Sequence, residues 1–351
     1  MAASYSAHEE LGREGRGRSR LLHLRNFNNW VKSVLINHYA VGVGGGVTSV
    51  LDLACGKGGD RGKWARAGVR RYCGVDIAGG SVVDGMARFN DEGRGGGGGM
   101  VGKLVVADLG ASALEAAGVV APGEVFDAVS IQFALHYLFA NETRALVFFS
   151  NLARRLRPGG VFIGTIPDAA VLVRRLRDLP PGATEFGNDL YRVAFTREGA
   201  ARATGALGGH PYGVEYKFYL AESVDDVPEY LVPWPLLVRL AAAAGLEPLA
   251  SDNFHAFYAA MSRDPAHAAL LSDMRVLNVE GRLTPAEWEV AGLYRVFAFR
   301  APSSPAAIPR PLAPLPPLTD LLPPAAFRRI APPDYDYKRR LAADDIIRLL
   351  Q

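Results

Sequence analysis

Cysteine is nearly absent: two stand in 351 residues, Cys55 and Cys73. Two thiols cannot build a disulfide framework or a four-cysteine zinc site. Both read as buried and reduced, the usage of an intracellular protein. No uninterrupted apolar run approaches the roughly 18 residues of a membrane-spanning helix, so none is expected. The first twenty residues are arginine-rich and carry no apolar stretch, so no secretory signal is expected there. Glu9, Glu10 and Glu14 argue against a transit peptide. A strong charge of one sign is also missing: 39 Lys+Arg face 36 Asp+Glu, a net charge of +3. That mild excess suits an anionic ligand and falls far short of a histone-like coat. Internal repeats are missing as well. Hydrophobic residues nevertheless make up 49% of the chain, which excludes disorder throughout and supplies a core. The length suits one large domain, or a domain with an insertion and a tail.

Glycine and proline are abundant, and the excess is local. Residues 42–46 and 93–99 are glycine-dominated and read as flexible surface loops. The second cluster has no helix directly after it, so it does not read as a phosphate cradle. From 302 to 333 proline recurs too often for a helix or a central strand. The expected organisation is a flexible Arg/Gly-rich segment at 1–20, one domain at 21–300 and a Pro-rich tail at 301–351. LAADDIIRLLQ (341–351) has the pattern of a short amphipathic helix.

Between 21 and 300 strand and helix patterns alternate. VTSVLDL (47–53), RYCGVDI (71–77), KLVVAD (103–108), FDAVSIQ (126–132) and VFIGT (161–165) read as buried strands. Helices are expected at 60–67, 81–89 and 143–156, with RPGG (157–160) as a turn. This alternation predicts an α/β fold with a doubly wound, mostly parallel sheet.

DLACGKGGD (52–60) follows the first strand and precedes a helix. Small residues at 54, 56, 58 and 59 let the backbone turn tightly and approach a ligand. The spacing is not that of a dinucleotide fingerprint. The second strand ends in Asp76, suited to both hydroxyls of a ribose. The third ends in Asp108, suited to an adenine amino group. The set looks like the signature of S-adenosylmethionine methyltransferases of the Rossmann-like class. Cys55 has no His/Asp constellation beside it and is not read as a nucleophile. No metal-ligand cluster is evident.

A second layer of motifs is longer. LRNFNNW (24–30), DLACGKGGDRGKW (52–64), VSIQFALHYLF (129–139), GTIPD (164–168), SVDDVPEYLVPW (223–234) and LYRVFAF (293–299) occur in order. Together they resemble the eukaryotic mRNA cap guanine-N7 methyltransferases, over nearly all of 21–300. The resemblance implies a seven-stranded sheet with an inserted segment that forms part of the cap pocket. It implies S-adenosylmethionine as cofactor, held by Lys32, Ala54, Asp76, Asp108, Gln132 and Tyr137. It implies cap contacts from Asn28, Asn29, Lys57, Lys63, Arg88, His136, Glu229 and Tyr294. Lys32 would meet the carboxylate of the methionine part. Glu229, after Pro228, would read the guanine edge. The implied partner is 5′-capped mRNA, with other capping or transcription components beside it, in the nucleus; neither membrane nor DNA is implied.

One departure stands out. The family usually has glycine where this chain has Ala54. A negative φ tolerates alanine, and a positive one costs about 1 kcal/mol; tolerance is the expectation. No catalytic acid or base is assigned. Two other readings stay open on the residues: a small-molecule methyltransferase of the same fold, and a catalytically silent RNA-binding scaffold. The first leaves the FNNW, FALHY and VPEYL motifs unexplained together.

Overall fold

The computed structural model describes residues 19–94, 99–153, 155–207 and 210–303. The expectations for 1–18, for the proline-rich tail and for a helix at 341–351 lie outside these residues, as does the middle of the second glycine cluster.

Helix α1 (Leu22–Leu35) leads, extended by a π-helical segment, Ile36–Val43. The α/β units follow: β1 (Ser49–Leu53), α2 (Arg61–Arg66), β2 (Arg71–Asp76), α3 (Gly79–Arg94), β3 (Val101–Val106) and β4 (Phe126–Gln132). A 3-10 helix, Leu135–Ala140, leads into α4 (Glu142–Leu152) and β5 (Leu156–Pro167). The inserted segment contains β6 (Glu185–Gly187), β7 (Tyr191–Phe195), β8 (Glu215–Leu220) and β9 (Val224–Tyr230). Strands β10 (Glu247–Asn253) and β11 (Tyr294–Arg300) complete the fold.

The main sheet has seven strands in the order β10-β11-β5-β4-β1-β2-β3. β1 to β5 pair in parallel, and β11 runs antiparallel to both its neighbours. Alternate side chains go to opposite faces, so each strand feeds two cores. Val50, Ala128 and Ile163 pack toward Phe27, Trp30, Val31 and Val34 of α1. Leu51, Val129 and Phe162 pack on the other side with Phe148, Phe149 and Leu152 of α4. Burial on both faces is why these strands read as near-continuous apolar runs. In α1 the buried positions Leu24, Phe27, Val31 and Val34 recur at helical spacing. Full burial of such side chains is worth roughly 1.5–3 kcal/mol each. Asn28 and Lys32, one turn apart, share an edge of the same helix.

The second sheet, β6-β7-β8-β9, is antiparallel throughout. Pro228 sits in β9, an edge strand, where a residue without an N–H is tolerated. The inserted segment is therefore a small sheet, and VPEY is a strand within it.

Some expected boundaries shift. Asp108 lies two residues beyond β3 rather than at its end. RPGG falls inside β5, at a register irregularity opposite Phe126 and Ala128. The first glycine cluster begins within the π-helical segment, closed by a Gly44 N–H donating to the Tyr39 carbonyl at 2.9 Å. α4 begins earlier than expected because Asn141 caps it. Packing continues past Arg300: Ala301 is buried and its N–H donates to the Gly160 carbonyl at 2.8 Å. Cys73 is buried as expected, but Cys55 is partly exposed. Among the described residues no helix is long and apolar enough to cross a membrane.

Candidate active site

The loop after β1 packs against the end of β2. The Asp76 carboxylate holds it there: Oδ2 accepts from the Gly56 N–H at 2.7 Å and Oδ1 from the Ala78 N–H at 2.8 Å. A carboxylate has about four acceptor positions, so two remain for a diol. Gly56 and Gly58 adopt φ of +53° and +69°. Ala54 also has φ +53°. The expectation of a tolerated alanine at negative φ is therefore corrected: Ala54 sits in the left-handed region, where its Cβ crowds the backbone. Burial pushes the Cys55 thiol well above its ordinary value, followed by the charges of Asp52 and Asp76. It is held as a neutral thiol, not a nucleophile.

Asp60 closes this loop as the N-cap of α2, yet its side chain makes no cap hydrogen bond. It is occupied elsewhere. Lys32 Nζ, from α1, lies 2.7 Å from Oδ1 and donates to Oδ2 at 3.0 Å. Lys63 Nζ donates to Oδ1 at 2.7 Å and to Asn29 Oδ1 at 2.9 Å. Burial pushes the Asp60 carboxyl up, but the Lys32 and Lys63 charges outweigh it and hold the group low, at about 2. Two lysines expected to serve separate ligands thus converge on one carboxylate, and Asn29 joins the cluster through Lys63. Asn28, beside them, has a buried Oδ1 without a hydrogen-bond partner. Lys57 stands apart in an ion pair with Asp84 at 2.9 Å, and Arg88 lies one turn beyond Asp84 on α3.

Asp52 lies one level deeper, accepting from the Tyr72 hydroxyl at 2.7 Å. Burial, then the nearby Asp60 charge, pushes its carboxyl up to about 7.

Phe133 leaves β4 with φ +55°, a strained value for an aromatic residue. Its N–H donates to the Thr165 carbonyl at 3.0 Å, and its ring meets Tyr294 edge-on at 5.1 Å. This turn sends the next residues across to β9. His136, 1% exposed, brings Nε2 within 3.3 Å of Glu229 Oε1. That contact lacks hydrogen-bond geometry, and both ring nitrogens are buried without a partner. The Tyr137 hydroxyl donates to Glu229 Oε1 at 3.3 Å. The Tyr216 hydroxyl donates to Oε2 at 2.7 Å. Tyr216 and Glu229 are directly opposite across β8 and β9. Burial, then the Glu229 charge, pushes the Tyr216 phenol far up, so it stays a donor. Glu229 is 5% exposed and lines a small pocket with Pro167, Val193, Tyr216, Phe218 and Tyr294. It is no surface glutamate of an acidic loop.

Gln132 lies within the sheet edge, donating to Ser130 Oγ and accepting from Thr165 Oγ1, both at 3.1 Å. Asp108 is engaged by Arg144 through two hydrogen bonds of 2.7 and 3.1 Å. Among the described residues no group of three or more His, Cys, Asp or Glu could hold a metal ion.

The profile of the mRNA (guanine-N7)-methyltransferase domain matches residues 1–302. The chain belongs to that family. It is 41% identical to the mRNA cap guanine-N(7) methyltransferase 1 of Oryza sativa subsp. japonica, over 87% of this chain and 82% of the relative. It is 36% identical to the mRNA cap guanine-N(7) methyltransferase of Schizosaccharomyces pombe, over 85% and 81%. Among solved structures it is similar to an S-adenosylmethionine-dependent methyltransferase from Clostridium acetobutylicum, with TM-score 0.45, 12% identity and coverage of 80% and 92%.

In this cap-methyltransferase fold, the sequence pattern missed Asp60, Phe133, Arg144 and Tyr216. Asp60 carried a signal: an acidic residue closing the glycine loop just before a helix. Tyr216 carried one too, as a buried position in the alternating EYKFYL strand.

Two outcomes are expected. Gly56→Ala imposes left-handed strain with open space around the new Cβ, and should cost about 1 kcal/mol in thermal or urea unfolding. Ala54→Gly relieves such strain while loosening the unfolded chain by a similar amount, so it should not destabilise. Equal losses from both would contradict the backbone assignment.

The second concerns pH. Folded Asp52 keeps its proton up to about pH 7, whereas the unfolded group loses it near 3.8. The native state then binds more protons between those values, so this group's contribution falls as pH rises through the window. Asp60 acts oppositely lower down, its contribution lost as pH falls toward about 2. Asp52→Asn keeps an acceptor for Tyr72 and cannot titrate. Its unfolding free energy should fall less steeply than the wild type's between about pH 4 and 7; parallel curves would reject the buried proton.

Proposed function

We propose that this methyltransferase transfers a methyl group from S-adenosylmethionine to N7 of the guanosine that caps the 5′ end of mRNA, converting GpppN to m7GpppN. The observation that carries the reading is Glu229, ionisable and buried in a small apolar pocket, with each carboxylate oxygen steadied by a tyrosine hydroxyl. An acceptor-only edge of two oxygens matches the N1–H and the 2-amino group of guanine. Adenine offers no such pair of donors.

When bound, S-adenosylmethionine supplies an electrophilic methyl on a positive sulfonium. The donor set fits it: Asp76 keeps two acceptor positions for the ribose, Asp108 faces the adenine amino group, and Lys32 meets the carboxylate. Ala54 forms part of the backbone floor, and Gln132 and Tyr137 complete the cradle. Asn28 and Asn29 take cap sugar and phosphate edges; the unpartnered Asn28 Oδ1 needs a donor, and buried acceptors seldom go without. Lys57, Lys63 and Arg88 take the phosphates. His136, with two unpartnered ring nitrogens, contacts the base, and Tyr294 walls the pocket.

Guanine N7 already carries an in-plane lone pair, so these residues need not remove a proton. Their work is alignment, worth up to about 7–11 kcal/mol in favourable cases. Positive charge moves onto the guanine ring as the methyl arrives. The Glu229 carboxylate stabilises it there. A nuclear site of action, alongside other capping or transcription components, follows from the same reading.

Glu229→Gln keeps the shape and removes the charge. It should cut kcat/KM on GpppA by at least about a hundredfold, while cofactor affinity changes less than about threefold. Asp76→Ala should do the reverse, weakening cofactor binding by about tenfold or more. Wild-type turnover by Glu229→Gln would remove that residue from the site. Tritium transfer to catechols or amines, with none to GpppA, would replace the cap with a small-molecule acceptor.

A further inference from the structure

Arg144 opens α4, thirty-six residues from Asp108 in sequence. Its backbone is fixed first: the Asn141 side chain accepts its N–H at 3.0 Å. Its guanidinium then lies along the loop after β3. A Cβ on Gly110 would come within 3.0 Å of Arg144 Cβ and Cζ, so the loop has glycine where the arginine passes.

The acceptor arithmetic on Asp108 is specific. Oδ1 accepts from Arg144 Nη2 at 2.7 Å and from the Gly110 N–H at 2.9 Å. Oδ2 accepts from Arg144 Nη1 at 3.1 Å. Of about four acceptor positions, three are taken. The geometry points to Arg144 as the positioning residue for adenine recognition: it fixes the Asp108 carboxylate so that a single acceptor position, on Oδ2, is presented to the 6-amino group of the cofactor. This rests on the adenine role given to Asp108 above.

A bidentate arginine fixes the plane of a carboxylate as a lysine cannot. The two hydrogen bonds also keep the group charged. Burial pushes the Asp108 carboxyl up, but the bonds from Arg144 and Gly110 and the Arg144 charge hold it below its ordinary value. A charged carboxylate only accepts. It welcomes a 6-amino group and faces a 6-oxo group as acceptor against acceptor, so a site built this way discriminates purines.

Calorimetry with S-adenosylhomocysteine and S-inosylhomocysteine on the full chain tests this. The wild type should prefer the adenine compound by about tenfold or more. Arg144→Gln should reduce that preference to within about threefold, by weakening the adenine compound and sparing the inosine one. Arg144→Lys keeps the charge without the fork and should retain an intermediate preference. Asp108→Ala should abolish it. If Asp108→Ala abolishes the preference and Arg144→Gln leaves it intact, or weakens both compounds equally, the positioning role is wrong and the Asp108 assignment stands. A preference that survives both substitutions overturns both.

Discussion

Asp60 is the constraint on which the site depends. One buried carboxylate is shared by two ammonium groups from different elements, Lys32 of α1 and Lys63 of α2. Through Lys63 the grip extends to Asn29. The glycine loop proposed to face the cofactor and the helix proposed to face the cap are therefore tied at a single point. Removing one partner from such a cluster leaves a buried charge uncompensated, which is far costlier than losing a surface pair. Two lysines against one aspartate also leave a surplus of positive charge, available to the anionic groups of the two proposed ligands. Burial lowers the Lys63 ammonium below its ordinary value against the pull of Asp60.

The second constraint is geometric. A displacement at N7 requires the base to stay still while the methyl is delivered along one line, and small displacements cost rate steeply. The carboxylate proposed to read guanine, Glu229, sits on β9 in the small sheet, while its partners His136 and Tyr137 come from the 3-10 helix that follows β4 of the main sheet. The strained turn at Phe133 joins them, since its left-handed φ redirects the chain between β4 and the 3-10 helix. Strain of this kind persists where surrounding contacts over-determine it, here the Thr165 backbone and the Phe254 and Tyr294 rings.

The parallel half of the fold was legible because its strands are buried on both faces. FDAVSIQ reads as a strand and is one, residue for residue. The small sheet was not legible. SVDDVPEY carries three acids and a proline, and burial at only a few positions makes it a strand. The site followed the same division. Motif residues such as Asp76, Glu229 and Asn29 each take part in a polar cluster. Their partners were invisible because each pairing joins residues far apart in sequence, across intervening helices and strands: Lys32 to Asp60, Asp108 to Arg144, Tyr137 to Glu229. The conformation of Ala54 was invisible for another reason, since φ depends on how Asp76 pins the loop and not on the alanine itself.

The claim that one carboxylate aligns both ligands has a direct measurement. Asp60→Asn removes the charge and keeps the shape. Calorimetry should find S-adenosylhomocysteine and GpppA both weakened by about tenfold or more, as expected when charge-assisted hydrogen bonds are lost, with unfolding still cooperative. Loss of one affinity alone, or of neither, would show that the two halves of the site are built independently and would contradict the account.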